Sequence, residues 1–249
     1  VKILGIIPAR YASSRFPGKP LVEIGGKTMI QRVYLQCMQA TKLSEVAVAT
    51  DDTRIADHVR SFGGRVILTS EFHQTGTDRC AEALFLMKEG DSYDYIVNIQ
   101  GDEPFISPEL IDNLCDTLDY KTEIATAVKR ITNPEALDDP NVVKVVLTMR
   151  KQALYFSRQA IPFVRDVPKA DWLGKAEFYK HIGIYAYRND VLKQIVKLPV
   201  NVLEQTEKLE QLRWLGYGYK IVACETSHDS IGVDTPEDLK NLKIEESGQ

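Results

Sequence analysis

Three cations within ten residues, Arg10, Arg15 and Lys19, follow directly on the apolar run Ile3 to Ile7. Ser13, Ser14 and Gly18 are interleaved with them in the stretch Pro8-Ala9-Arg10-Tyr11-Ala12-Ser13-Ser14-Arg15-Phe16-Pro17-Gly18-Lys19-Pro20. Cationic heads, hydroxyls and a glycine that lets backbone come close are what a polyphosphate requires, and three cations suit a triphosphate. The stretch also reads as a solvated basic loop; its position after a first strand favours the phosphate cradle. A competing signature, Gly25-Gly26-Lys27-Thr28, fails on spacing, because a phosphate-wrapping loop needs glycine where Leu21 stands. Those glycines are expected to make a turn, with Thr28 near a helix start.

Two distant acids are candidate metal ligands. Asp102 lies in Gln100-Gly101-Asp102-Glu103-Pro104, just past the apolar run Tyr95 to Ile99, and Asp234 lies in Gly232-Val233-Asp234-Thr235-Pro236. Magnesium takes one or two carboxylates plus substrate phosphates, which suits such a pair. Each acid has a plainer reading, Asp102 as a turn former and Asp234 as a helix-dipole partner. Thr235 suffices as the cap of the helix that follows, so Asp234 is not needed for capping.

Gly76-Thr77-Asp78-Arg79 reads either as a helix entry or as an anion contact at a helix N-terminus; capping accounts for Thr77 but not for Arg79. His181 precedes Ile182-Gly183-Ile184-Tyr185, and a single histidine is more often structural than catalytic. Glu207, Glu210 and Gln211 share an amphipathic helical stretch with Leu209, Leu212 and Trp214, where Glu207 with Gln211 also makes an ordinary (i, i+4) pair.

The elements that must position these residues alternate. Strand-like runs at Ile3 to Ile7, Val46 to Thr50, Val66 to Leu68 and Tyr95 to Ile99 are separated by helical periodicity at about Thr28 to Ala40, Arg54 to Phe62 and Thr77 to Lys88. That pattern predicts a doubly wound α/β sheet, whose ligands bind beyond the carboxyl ends of its strands. After a helix near Pro108 to Leu118, the runs Ile124 to Arg130 and Val142 to Thr148 read as consecutive strands, so the sheet is expected to be mostly parallel but mixed. Gly183 to Tyr187 and Lys220 to Ala223 read as further strands, Thr206 to Trp214 as a helix, and Thr235-Pro236-Glu237-Asp238 as the capped start of the last one. Leu154 to Lys180 shows neither period and is expected to form a lobe or lid on a single domain spanning residues 1–249.

Composition narrows the function classes. A formal net charge of -4 argues against a general nucleic-acid binder, which needs a clustered cationic excess, yet leaves room for a local basic patch. No apolar run approaches membrane-span length, and the chain enters a strand at once rather than a signal peptide, so a cytosolic address is expected. Cys37, Cys80, Cys115 and Cys224 are scattered without zinc spacing and read as reduced, mostly buried thiols.

Taken together, the stretch Ile7 to Leu21, the run Val97-Asn98-Ile99-Gln100-Gly101-Asp102-Glu103-Pro104 and the run Gly232-Val233-Asp234-Thr235-Pro236-Glu237-Asp238-Leu239 closely resemble the 3-deoxy-manno-octulosonate (Kdo) cytidylyltransferases, also called CMP-Kdo synthetases. The resemblance runs nearly end to end and includes Asn141-Val142-Val143-Lys144-Val145-Val146, Ala153-Leu154-Tyr155-Phe156-Ser157-Arg158 and Leu209-Glu210-Gln211-Leu212-Arg213. It implies a nucleotide-diphospho-sugar transferase-like fold and a cytosolic homodimer of lipopolysaccharide biosynthesis. Such an enzyme converts CTP and Kdo into CMP-Kdo and pyrophosphate with magnesium. By the same resemblance Ala9, Arg10, Ser13, Arg15 and Lys19 cradle CTP, with Arg79 and Gln100 completing the nucleotide site. Asp102 and Asp234 hold the metal, and with Arg15 and Lys19 they form the catalytic set. Arg158, His181, Tyr185, Glu210 and Gln211 meet the sugar acid. The chain departs from the family at Asp78, where glutamate is common. Two rivals stay open at this point: a cytidylyltransferase for another sugar acid, and a nucleotide-sensing module without turnover.

Overall fold

The computed structural model describes residues 1–12, 16–229, 232–233 and 235–241. Through the first half of the chain the elements are β1 (Ile3–Ala9), β2 (Glu23–Ile24), β3 (Lys27–Thr28), α1 (Met29–Gln39), β4 (Glu45–Thr50), α2 (Thr53–Ser61), β5 (Val66–Leu68), α3 (Gly76–Leu86), β6 (Tyr95–Asn98) and α4 (Pro108–Cys115). Then come β7 (Ile124–Arg130), α5 (Glu135–Asp138), β8 (Lys144–Leu147), β9 (Ala153–Ser157), β10 (Tyr179–Arg188), α6 (Asn189–Ile195), α7 (Val202–Glu207), α8 (Gln211–Gly216), β11 (Ile221–Glu225) and α9 (Pro236–Asn241). Among the described residues no helix is long and apolar enough to cross a membrane.

The main sheet has the order β11-β7-β10-β6-β1-β4-β5, with β8 pairing to β10 and β9 to β8. β10 runs antiparallel to β6 and β7, whereas β1 is parallel to β4 and β6, β4 to β5, and β7 to β11. The expected mixed, doubly wound α/β sheet is therefore present. Alternation along β1 shows how it is layered: Ile3, Ile7 and Ala9 pack with α1, α2 and α4 on one face, Leu4 and Ile6 with α3, α6 and α8 on the other. Both faces are covered, which is why the strand reads as a continuous apolar run. β1 continues through Pro8 rather than stopping there. β6 has already ceased to pair after Ile6, so the missing N–H costs no ladder bond on that side.

Other departures from the sequence reading have local causes. β7 and β8 are not neighbours; each pairs with β10, which inserts beside them from later in the chain. The stretch from Leu154 contains the rest of β9, and further along it Trp172 and Phe178 form a small hydrophobic cluster with Ile131 and Leu137, from before β8. The helix expected over Thr206 to Trp214 is two helices. Lys208 takes the left-handed conformation at φ 55°, ending α7, and α8 starts at Gln211.

From β1 the chain moves outward to β4 and β5, then returns to β6 on the other side of β1. The carboxyl ends of β1 and β6 therefore flank a topological switch point, where such sheets bind ligands.

Candidate active site

A cleft of about 390 Å³ opens at this switch point. The end of β1 contributes Ala9 and Arg10, the loop beyond it Lys19, and the end of β6 Asn98, Gln100 and Asp102. The entry of α3 adds Thr75, Gly76, Thr77 and, one turn on, Arg79; β10 adds Gly183 and Tyr185; the turn between α7 and α8 adds Glu210. Eight of the residues singled out from the sequence thus meet in one cavity: Ala9, Arg10, Lys19, Arg79, Gln100, Asp102, Tyr185 and Glu210. Ser13, Arg15 and Asp234 lie outside the described residues.

Two glycines permit the close approach of strands that builds the cleft. A Cβ on Gly101 would stand 2.8 Å from the Pro8 carbonyl oxygen, so only glycine lets the end of β6 fold over the end of β1. Gly183 lies where the register of β10 against β7 shifts between Ile182 and Tyr185. Its carbonyl accepts a hydrogen bond from Gln100 Nε2 at 2.8 Å, and a Cβ there would come within 2.1 Å of that nitrogen. The bulge turns the Gly183 carbonyl into the cleft, and Thr126 fills the gap behind it by donating to the Ile184 carbonyl at 2.8 Å.

Lys19 and Asp102 are directly paired, Nζ to Oδ2 at 2.7 Å, with the lysine side chain 12% and the aspartate 26% exposed. The Asp102 carbonyl also accepts from the Val233 amide at 2.9 Å, and Val233 is buried with Ile24 and Met29. This places the chain neighbour of Asp234 against Asp102. The capping box read from the sequence is formed: Thr235 Oγ1 accepts from the Asp238 amide and Asp238 Oδ2 from the Thr235 amide, leaving the cap to Thr235.

Arg79 reaches the cavity wall but is only 3% exposed, and its guanidinium is held by Thr69 Oγ1 (2.7 Å), the Ser70 carbonyl (3.2 Å) and Asp51 (3.2 Å). It anchors the loop after β5 to α3. The cap of α3 is Thr75, which accepts from the Asp78 amide; this corrects the assignment of Thr77 as the cap. Thr77 instead donates to Glu210 Oε2 at 2.9 Å, while Arg213 donates to Oε1 at 3.1 Å. Burial pushes the Glu210 carboxyl up to about 7 against the pull of Thr77 and Arg213, with Asp78 adding to the rise.

His181 stands one layer behind the cleft. Its Nε2 meets Thr126 Oγ1 at 3.0 Å, and its ring packs on Phe156 and Tyr185. Burial lowers its pKa to about 3, so the ring is neutral near pH 7. Because the Thr126 hydroxyl has one proton and gives it to Ile184, the histidine Nε2 is the donor of that pair. Two expected sugar-acid contacts are placed elsewhere. The Arg158 guanidinium caps carbonyls, with Nε to Glu207 O at 2.7 Å and one terminal nitrogen to Pro140 O at 2.9 Å, and it does not line the cleft. Gln211 is buried at 5% and also does not line it. Its expected (i, i+4) partner Glu207 binds Ser157 Oγ at 2.7 Å and the Arg158 amide at 3.0 Å instead, because the left-handed Lys208 breaks the helix between them.

Asn98 was not singled out from the sequence. Its Oδ1 and the Tyr185 hydroxyl are buried, belong to cleft-lining residues, and have no hydrogen-bond partner among the described residues. Buried polar atoms are paired with protein, water or ligand in folded proteins, so both atoms are free to meet whatever fills the cleft. The only sequence signal for Asn98 is a polar residue closing an otherwise apolar strand.

Comparison with known proteins identifies the family. A family model described as cytidylyltransferase matches residues 4–221. A 3-deoxy-manno-octulosonate cytidylyltransferase of Bacteroides thetaiotaomicron is 54% identical over 98% of this chain and 97% of that protein. One from Parabacteroides distasonis is 53% identical over 96% of each. The structure of a CMP:2-keto-3-deoxy-manno-octonic acid synthetase complexed with CTP superposes with a TM-score of 0.90, at 43% identity over 97% of both chains. A 4-diphosphocytidyl-2C-methyl-D-erythritol synthase from Anaerococcus prevotii, 14% identical with a TM-score of 0.62 over 96% of each chain, shares the fold. The chain belongs to the 3-deoxy-manno-octulosonate cytidylyltransferases.

Proposed function

We propose that the cleft joins CTP to Kdo in one step, releasing pyrophosphate, with the nucleotide on the β1 and β6 side and the sugar acid between Tyr185 and Glu210. The observation that carries this reading is the meeting of Arg10, Lys19, Gln100 and Asp102 with Tyr185 and Glu210 in a single cavity at the switch point. A cationic, amide-rich wall suits a triphosphate, and a wall with a phenol and a carboxylate suits a polyhydroxylated acid. A relative 43% identical to this chain was solved with CTP.

In the reaction the anomeric hydroxyl oxygen of Kdo forms a bond to the α-phosphorus in line with the bond that breaks, the one to the departing pyrophosphate; the hydroxyl proton passes to solvent. Lys19 and Arg10 neutralise phosphate charge, and Gln100, fixed by the Gly183 carbonyl, orients the nucleotide against β10. Glu210 and Tyr185 hold the sugar so that its hydroxyl faces the phosphorus. Hard carboxylate oxygens suit magnesium, and Asp102, with the neighbour of Asp234 bonded to its carbonyl, fits that role. Bound there, magnesium supplies charge neutralisation at the α-phosphate and a lower pKa at the attacking hydroxyl. A cytosolic address and a homodimer belong to the same proposal, which cell fractionation and native mass measurement address.

Pyrophosphate release tests the reading, measured with CTP against the other triphosphates and with Kdo against other sugar acids, with and without magnesium. Release confined to CTP, Kdo and magnesium is expected. Preference for a different acid would move the sugar half of the assignment, and no release from any pair would leave a nucleotide-sensing module.

A further inference from the structure

We infer that Thr77 is a positioning residue for the sugar-acid half of the cleft, acting through Glu210. The inference rests on the placement of Glu210 proposed above and goes beyond it in assigning what holds that carboxylate in place.

Glu210 sits in the turn between α7 and α8, just after the left-handed Lys208, so no regular element fixes its side chain. Its two oxygens are held from two directions. Arg213, three residues on, binds Oε1 at 3.1 Å; that arginine is itself set by Glu204 at 2.9 Å and the Leu198 carbonyl at 3.1 Å. This contact is local to α7 and α8. Thr77 binds Oε2 at 2.9 Å from α3, an element packed on the ends of β1 and β6, where a Cβ on Gly76 would stand 3.2 Å from the Pro8 ring. The threonine hydroxyl therefore references Glu210 to the wall that carries the nucleotide.

The hydroxyl has one proton. Once Glu210 is ionised, above about pH 7, the carboxylate can only accept, so that proton goes to Glu210, and the Tyr187 hydroxyl, 3.3 Å from Thr77 Oγ1, donates to the threonine oxygen. Thr77 is 2% and Tyr187 0% exposed, so this hydroxyl pair is shielded from bulk water. Tyr187 is in turn stacked on Tyr185, and both rings meet Trp214 of α8 edge-on. The side chain facing the sugar acid is thus held at one oxygen by α3 and at the other by α8. Neither Thr77 nor Tyr187 needs to touch substrate.

The test compares Thr77→Val, which keeps the shape and removes the hydroxyl, with Thr77→Ser, which keeps the hydroxyl, by steady-state kinetics with CTP, Kdo and magnesium. Thr77→Val is expected to raise KM for Kdo about tenfold, the scale of one hydrogen bond to a charged group, with KM for CTP changed less than about twofold. Thr77→Ser should restore KM for Kdo. In a Glu210→Gln background the valine substitution should add little, because the group it positions is already altered. An unchanged KM for Kdo in Thr77→Val, or equal rises for Kdo and CTP, overturns the inference while leaving Glu210 in place. If Glu210→Gln alone leaves Kdo use unaltered, the placement of Glu210 fails, and the role of Thr77 with it. Thermal unfolding of each variant identifies any loss that comes from misfolding, and the serine variant then decides the question.

Discussion

The ammonium of Lys19 lies 2.7 Å from Asp102 Oδ2, so the cation of the phosphate loop and the acid at the end of β6 neutralise each other across the mouth of the cleft. On the function proposed above, an arriving triphosphate would compete with Asp102 for Lys19, and a cation would compete with Lys19 for Asp102. Substitution of the two partners should therefore separate chemistry from binding.

Asp102→Asn is expected to lower kcat by about 100-fold or more, as loss of a metal-holding carboxylate does, with the fold retained. Lys19→Ala should mainly raise KM for CTP, by about tenfold, because it removes one charge-assisted phosphate contact. Steady-state kinetics with a thermal-unfolding control measures both. Normal turnover in Asp102→Asn would take this acid out of the metal set.

Gly183→Ala places a methyl group 2.1 Å from Gln100 Nε2 and must displace that amide from the carbonyl it binds. We expect kcat/KM for CTP to fall about tenfold, the loss of one oriented hydrogen bond, while circular dichroism stays unchanged. Wild-type kinetics in this variant would show that the Gln100 orientation has no part in nucleotide use.

Glu210 and pH stability are linked with a definite sign. The folded chain keeps the Glu210 proton up to about 7, whereas an unfolded glutamate releases it near 4.5. Between those values the folded state binds more protons, so this group lowers stability as pH rises, and the loss is complete above about 7. Glu210→Gln should flatten that part of the curve and leave the protein on the order of 1 kcal/mol more stable in the alkaline range, after allowing for partial exposure and the lost Arg213 pair. Denaturant unfolding across the pH range reads this directly; a wild-type slope in the variant would refute it.

His181 acts in the opposite sense. Its folded pKa is depressed from 6.5 to about 3, so its contribution is fully present above about 6.5 and is lost as pH falls through that window. His181→Gln should make acid unfolding less steep. If the acid transition is unaltered, protonation of this ring does not contribute to it.

Arg158 and Glu207 hold each other twice: the Arg158 amide and Ser157 hydroxyl bind the Glu207 carboxylate, and the Arg158 guanidinium binds the Glu207 carbonyl. Arg158→Ala should cost about 1–3 kcal/mol of stability through those carbonyl contacts. A variant of unchanged stability with a raised KM for Kdo would return this arginine to the sugar-acid carboxylate, the role its resemblance implies.

How much of this was legible follows from the range of the forces involved. β1, β4, β5 and β6 announced themselves because strands buried on both faces must be apolar throughout. The capping box of Thr235 and Asp238, the Thr28 cap of α1 and the turn at Gly25 and Gly26 are local chemistry within a few residues, and each was readable as such. β9 and the bulge at Gly183 were not, since edge pairing and register depend on partners far along the chain.

For the site the division is similar. Residue type and position after a strand were enough to single out Arg10, Lys19, Gln100 and Asp102, because the carboxyl end of a parallel strand is where backbone and side chains are free to meet a ligand. The order of residues determined the family, the layered α/β sheet and the basic loop. The tertiary structure alone decided that Thr77 holds Glu210, that Arg158 caps α7 rather than lining the cleft, and that Lys208 ends the helix between Glu207 and Gln211. The first two outcomes are set by hydrogen bonds between residues distant in sequence, and no local propensity or periodicity encodes which distant partner a buried polar group will find; the third is a backbone conformation that a lysine rarely adopts.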